Sequence, residues 1–209
     1  MKSLQQALKT SQLPIVAVFD FDGTLTLRDS LLPFLRFAFG SWRFCWGMIF
    51  TSPVLTAYAL KLIPNWQAKE ILLSHFLANK TTKQIDTIAR KFARNKIPKI
   101  VRDRALARLQ WHQKQGHQTI LLSASLETYL SPWALTMGFD RVIGTQLEIK
   151  NGRFTGCILG KNCYGPEKVR RLQSVLGDLS QYYIYSYGDS RGDRELLDTS
   201  DSPFYRKFD

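Results

Sequence analysis

Two aspartates, Asp20 and Asp22, stand one residue apart at the end of the apolar run "VAVFDFDGTLT", Val16 to Thr26. Like charges held a few ångströms apart repel, so one takes up a proton or a cation sits with them. Much later, "YYIYSYGDS" is another apolar run ending on an aspartate, Asp189, and "HQTILLSAS" ends on Ser123 and its neighbours. Magnesium takes oxygen ligands, keeps several waters and uses one or two carboxylates plus substrate phosphate. Asp20 and Asp189 are the carboxylates for that task. A phosphate ester brings more negative charge, so a lysine and hydroxyl or amide donors must surround it. Ser123, and Lys168 in "GPEKVRRL", are candidates. An ionised aspartate can take the phosphoryl group as nucleophile, which splits hydrolysis into two steps. A second carboxylate then protonates the leaving alcohol and later activates water. Asp20 suits the first role and Asp22 the second, while Gly23 and Thr24 let the chain turn away and leave room for phosphate.

Blander readings exist for each residue. Asp-Gly is common in turns, where the Asp side chain bonds its own backbone. A calcium loop counted from Asp20 would need Gly at its sixth place and Glu at its twelfth; Leu25 and Leu31 stand there. Lys168 in "EKVRR" also reads as part of a solvated helix face, and "SAS" as ordinary loop chemistry.

The elements that must position these residues follow from the pattern. "IVAVFDF" is a buried strand. The stretch from Asp29 to Gln115 reads as helical, broken at Pro53, Pro64 and Pro98. "HQTILLSAS" is a strand, "LETYLSPWALTMG" a helix closed by Gly138, and "QLEIKNGRFTGCIL" a hairpin turning at Asn151-Gly152. "GPEKVRRLQSVLG" is a helix with Pro166 at its start and Gly177 past its end, and "YYIYSYGDS" a further strand. Strands alternating with helices make an open parallel α/β sheet, whose strand carboxyl ends line one crevice. Asp20, Asp22, Ser123 and Asp189 then converge there. The expected division is a catalytic core of residues 1–28 and 116–209, with a helical cap of residues 29–115 inserted after the first strand.

The chain has 209 residues, and its hydrophobic content of 44% suffices for a sizeable core. Cys45, Cys157 and Cys163 have no metal-ligand spacing and read as free thiols of a reducing compartment. "MKSLQQALKTSQLP" lacks the apolar stretch of a secretory signal, so the expected location is the cytoplasm, with contact at the inner face of the membrane. The formal charge of +12 attracts phosphorylated substrates, anionic membrane or nucleic acid. No zinc-finger spacing or aromatic RNA-binding signature accompanies it, so no specific nucleic-acid partner is expected. The basic run "ARKFARNKIPKIVRDRALAR" fits a solvated helix face. Phe44–Leu60 holds 17 residues without a charge between Arg43 and Lys61, with Trp42, Trp46 and Tyr58 near its ends. A spanning helix needs about 20 apolar residues. The stretch reads either as a segment lying in a membrane surface or as a buried helix pair. Nothing in the sequence sets the oligomeric state.

Together, "DFDGTLT", "LLSAS", Lys168 in "GPEKVRRL" and "GDSRGD" resemble, in order, the four motifs of haloacid dehalogenase superfamily phosphatases. The resemblance implies a Rossmann-like three-layer α/β core with a helical cap, Mg²⁺ as cofactor and an aspartyl-phosphate intermediate. Asp20 would be nucleophile and metal ligand. Asp22 would be acid/base and lend its backbone carbonyl to the metal, and Asp189 would be a further ligand. Gly23, Thr24, Ser123, Ala124 and Lys168 would hold phosphate, with Gly188, Ser190 and Asp193 in support. The cap position resembles the C1 type of the phosphoserine phosphatase-like branch. Where that branch has a Glu gripping the amino acid, this sequence has Asp29, amid the bulky apolar "DSLLPFLRFAFGSWRFCWGMIF". A similar apolar cap stretch occurs in bacterial phosphatidylglycerophosphate phosphatases. The expected substrate is therefore an amphiphilic or lipid-linked phosphomonoester. The alternatives are a small soluble phosphorylated metabolite, phosphoryl transfer to an acceptor other than water, and a non-catalytic membrane- or nucleic-acid-binding protein on the same scaffold.

Overall fold

The computed structural model describes residues 13–208. In chain order, β1 (Ile15–Phe19) leads through a turn to the helices α1 (Leu31–Ala59), α2 (Asn65–Leu77), α3 (Thr82–Asn95) and α4 (Asp103–Lys114). Then come β2 (Gln118–Leu126), α5 (Glu127–Met137), β3 (Arg141–Thr145), β4 (Leu147–Lys150) and β5 (Arg153–Ile158). The chain closes with α6 (Pro166–Leu176), β6 (Tyr183–Gly188), α7 (Arg194–Thr199) and β7 (Ser202–Tyr205).

Five strands form one parallel sheet in the order β3-β2-β1-β6-β7. A parallel sheet is covered on both faces, which is why its central strand reads as an unbroken apolar run. Val16 through Phe19 are fully buried. Alternate residues serve opposite layers. Val16, Val18, Ile120 and Leu122 pack with Leu172 and Leu196 on one side. Ala17, Phe19 and Leu121 pack with Leu109, Tyr129 and Trp133 on the other. The result is the expected three-layer α/β core. Phe19 pairs with Leu121 on one side and Tyr187 on the other, so the residues following β1, β2 and β6 emerge at one edge.

Three details differ from the sequence reading. Pro53 does not break α1; the interruption is at Gly40, whose φ of 77° and ψ of 160° are far from helical. Pro53 costs one backbone hydrogen bond, whereas a glycine at positive φ redirects the chain outright. Next, α4 falls within 29–115 but lies against the sheet, because its His112 and Leu109 are buried with Phe19 and Tyr187. Conversely, the β4–β5 hairpin, placed with the core by sequence, is bonded to the loop between α2 and α3. Asn79 N donates to Phe154 O (2.8 Å) and Phe154 N to Lys80 O (2.9 Å). Its turn is Asn151-Gly152, both at positive φ.

Candidate active site

The sheet edge delivers the motif residues to one place. Asp20 N donates to Tyr187 O (2.9 Å), locking the end of β1 to the end of β6. The chain then swings away through Gly23 at φ +82°. A Cβ there would lie 2.3 Å from Asp189 Oδ2, so only glycine lets the Asp189 carboxylate come so close. Thr24 Oγ1 donates to Asp189 Oδ1 (3.4 Å). Gly188 makes similar room, since a Cβ would meet Asp193 Cβ at 2.5 Å.

Lys168 enters from the first turn of α6 and is 1% exposed. Its ammonium donates to Asp20 Oδ1 (2.6 Å) and Asp193 Oδ1 (2.5 Å). The other Asp193 oxygen accepts from Asp189 N (3.2 Å), Ser190 N (3.0 Å) and Ser190 Oγ (2.7 Å). Asp193 is thereby fully engaged in shaping the Asp189 loop and fixing the lysine. Burial disfavours its charge, but Lys168 outweighs that and holds its carboxyl below the usual range.

The remaining carboxylates are held less favourably. Burial pushes Asp20 up to about 7 in spite of Lys168. Burial, then the charge of Asp29, takes Asp22 to about 7 as well. Asp189 is also raised, by burial and by Asp193. Ligand oxygens of Asp20, Asp189 and Asp193 all lie within 4.8 Å of one another. Lys168 bonds only two of these four carboxylates, which leaves excess negative charge out of water that a hard divalent cation on oxygen ligands would relieve. The residues therefore fit magnesium, with Asp20 and Asp189 offering uncommitted oxygens and Asp193 already occupied.

Asp22 has a divided carboxyl. Its Oδ2 accepts from Ser125 Oγ, while its Oδ1 is buried without a partner. Ser125 is itself held by Tyr129 OH (2.9 Å), which meets Ser30 Oγ at 2.9 Å. Ser123 Oγ accepts from Ser125 N (3.1 Å), so its own proton remains available as a donor. Asp20, Asp22, Ser123, Ala124, Lys168, Ser190 and Asp193 line one cavity of about 320 Å³. Gly23, Thr24, Gly188 and Asp189 line a second, of about 370 Å³. Asp29 faces the first cavity, and its Oδ1 accepts from Leu31 N (2.8 Å) at the start of α1.

The cap roofs this first cavity with Leu31, Leu55, Tyr58, Ala68, Lys69 and Leu72. Sequence reading missed Lys69, Ser30, Ser125 and Tyr129. Ser125 had a signal in "SAS", two residues past Ser123. Lys69 had none, because its place above the core depends on how α2 docks.

Known proteins resemble this chain in sequence and in fold. Residues 17–198 match the haloacid dehalogenase-like hydrolase family. Protein CicA of Caulobacter vibrioides is 35% identical over 93% of this chain and 87% of its own. A Bordetella pertussis structure of unknown function superimposes with a TM-score of 0.82 at 25% identity, covering 92% of this chain and 90% of that one. A phosphoserine phosphatase captured as a phospho-aspartyl intermediate analogue shares the fold, with a TM-score of 0.59 at 15% identity over 90% of this chain and 84% of that one. The chain belongs to the haloacid dehalogenase-like hydrolases.

Proposed function

We propose that this chain is a magnesium-dependent phosphomonoesterase that works through an aspartyl-phosphate on Asp20 and acts on an amphiphilic, lipid-linked phosphomonoester. The observation that carries the reading is the pairing of Asp20 with the divided carboxyl of Asp22 in one cavity. Magnesium, held by Asp20, Asp189 and the Asp22 backbone carbonyl, would supply charge neutralisation and Lewis-acid polarisation of the phosphoryl group. Lys168 and Ser123 orient the phosphoryl oxygens. Asp20 attacks phosphorus, forming a carboxylate–phosphorus bond as the ester bond breaks. The Asp22 carboxyl gives its proton from Oδ1 to the leaving oxygen, and Ser125 holds the opposite oxygen still. Water then attacks the phosphorus, Asp22 recovers a proton from it, and inorganic phosphate departs with the Asp20 carboxylate restored.

The lipid-linked character rests on α1. This helix turns Leu55 and Tyr58 into the cavity and exposes Trp42 (76%), Trp46, Ile49 and Phe50 (70%) to solvent. Arg43 and Lys61 flank the uncharged stretch, and the chain is strongly basic, which suits an anionic bilayer. Among the described residues no helix is long and apolar enough to cross a membrane, so the contact would be peripheral.

Phosphate release from a panel of phosphomonoesters, with and without Mg²⁺, tests the chemistry. Metal-dependent turnover that Asp20→Asn abolishes is expected. An Asp20→Asn protein with full activity would refute it. Lipid-linked esters should exceed soluble ones in kcat/KM.

A further inference from the structure

Lys69 stands on the cap helix α2 and lines the same cavity as Asp20, Asp22, Ser123 and Lys168. Its surroundings are unlike those of Lys168. Lys168 is neutralised by two carboxylates, whereas the Lys69 ammonium donates to two neutral oxygens, Ala124 O (2.5 Å) and Asn162 Oδ1 (2.9 Å). An ammonium has three donors, so one N–H is left for the cavity. No anion is bonded to this cation, which is costly away from bulk water; burial lowers its pKa to about 8, although the charges of Asp22 and Asp29 in the same cavity act the other way.

The placement is built rather than incidental. Asn162 is 8% exposed; its Oδ1 also accepts from Thr145 Oγ1 (2.9 Å) and its Nδ2 donates to Asn65 Oδ1 (3.3 Å). Asn65 in turn donates to Tyr58 OH (3.1 Å). This chain of amides fixes the lysine from both cap and core. Ala124 adjoins Ser123, so the ammonium sits beside the phosphoryl site on its cap side. Asn65 and Tyr164, which line this cavity, also line a third one of about 780 Å³ that carries Trp66 and Arg170, giving the remainder of a larger leaving group somewhere to go.

We infer that Lys69, oriented by Asn162 and Ala124 O, is a second anion subsite, and that the physiological substrate is a phosphomonoester carrying a further anionic oxygen, phosphodiester or carboxylate, close to the scissile ester. This inference rests on the phosphatase reading above. It makes Lys69 a specificity-determining residue, since a charge-assisted hydrogen bond in a closed site distinguishes substrates that have the group from those that lack it.

The test compares kcat/KM for three soluble esters. Glycerol 3-phosphate has no second anion, 3-phosphoglycerate adds a carboxylate, and glycerophosphoglycerol phosphate adds a phosphodiester. The wild-type protein should prefer one of the two anionic esters over glycerol 3-phosphate by about tenfold or more. Which one it prefers identifies the anion. In Lys69→Met that ratio should fall to within about threefold, and Lys69→Arg should restore most of it. A wild-type protein that hydrolyses p-nitrophenyl phosphate but makes no distinction among the three esters overturns the inference and leaves the phosphatase reading standing. So does a Lys69→Met protein that keeps the wild-type ratio. A wild-type protein that hydrolyses no phosphomonoester overturns both.

Discussion

Lys168 and Asp20 stand 148 positions apart in the chain and 2.6 Å apart at their charged atoms. Their contact exists only because α6 and β1 present their ends to one sheet edge. It is made inside the protein, where removing one partner leaves an uncompensated charge. Lys168→Met should therefore do two things at pH 8. The kcat should drop at least about 100-fold, and stability in urea should fall by about 3 kcal/mol, because Asp20 and Asp193 lose their shared cation. Unchanged stability would mean that the pair is not held as described.

In the proposed mechanism Asp22 supplies a proton to the leaving oxygen. That help matters most when the leaving alcohol is a poor one. Asp22→Asn should lower kcat about 100-fold or more on an alkyl phosphate and distinctly less on p-nitrophenyl phosphate, whose phenolate departs unaided. Equal losses on both esters would remove the general-acid role.

Gly23 is the point at which a single methyl group should disturb the proposed metal site. Its φ of +82° and the 2.3 Å approach to Asp189 Oδ2 leave no room for Cβ. Gly23→Ala should push Asp189 aside and raise the Mg²⁺ concentration for half-maximal activity about tenfold or more. An unaltered metal titration would show that Asp189 does not serve the cation.

Asp20, Asp22, Ser123 and Asp189 were legible as candidates for a physical reason. Each lies at the end of an apolar run that reads as a buried strand, and such strands end together, whereas Lys168 sits in the first turn of α6 and had only its motif to mark it. The Asn151-Gly152 hairpin and the Gly138 helix end were legible because local backbone conformation dictates those residues. What could not be read depends on docking between distant segments. Nothing near Lys69 announces that α2 brings it to Ala124 O, and Ser30 and Tyr129 meet Ser125 only after α1 and α5 pack. The α4 segment looks like its helical neighbours, and its contact with the sheet shows only once His112 is seen against Tyr187. Pro53 suggested a break that Gly40 makes instead.

His112 carries a pH dependence of stability. The residue is buried, with Nε2 2.9 Å from Tyr187 OH and Nδ1 2.7 Å from His117 Nδ1. Two facing Nδ1 atoms can share one proton but not accommodate two. Burial, then His117 and Arg108, lower the His112 pKa to about 3. Since the folded value lies below the ordinary one near 6.5, the unfolded chain binds more protons between them. The stabilisation is complete above about pH 6.5 and is lost as the pH falls toward 3, amounting to about 2 kcal/mol by pH 5. Asp20 and Asp22, both raised to about 7, take up protons in the folded state over the same interval and act the other way. The His112 contribution is therefore read by difference: the change in urea stability from pH 7 to pH 5 should be more favourable in His112→Gln than in the wild-type protein by about 2 kcal/mol. Identical changes in the two proteins would assign the dependence to other groups.

The chemistry assigned to Asp20 is most directly tested by trapping. The protein is mixed with Mg²⁺ and substrate, quenched in acid within a turnover, digested, and read by mass spectrometry. The predicted result is one phosphoryl group on the peptide carrying Asp20, absent without Mg²⁺ and absent in Asp20→Asn. Turnover with no phosphorylated enzyme under any quench, or with the phosphoryl group on another residue, would contradict it.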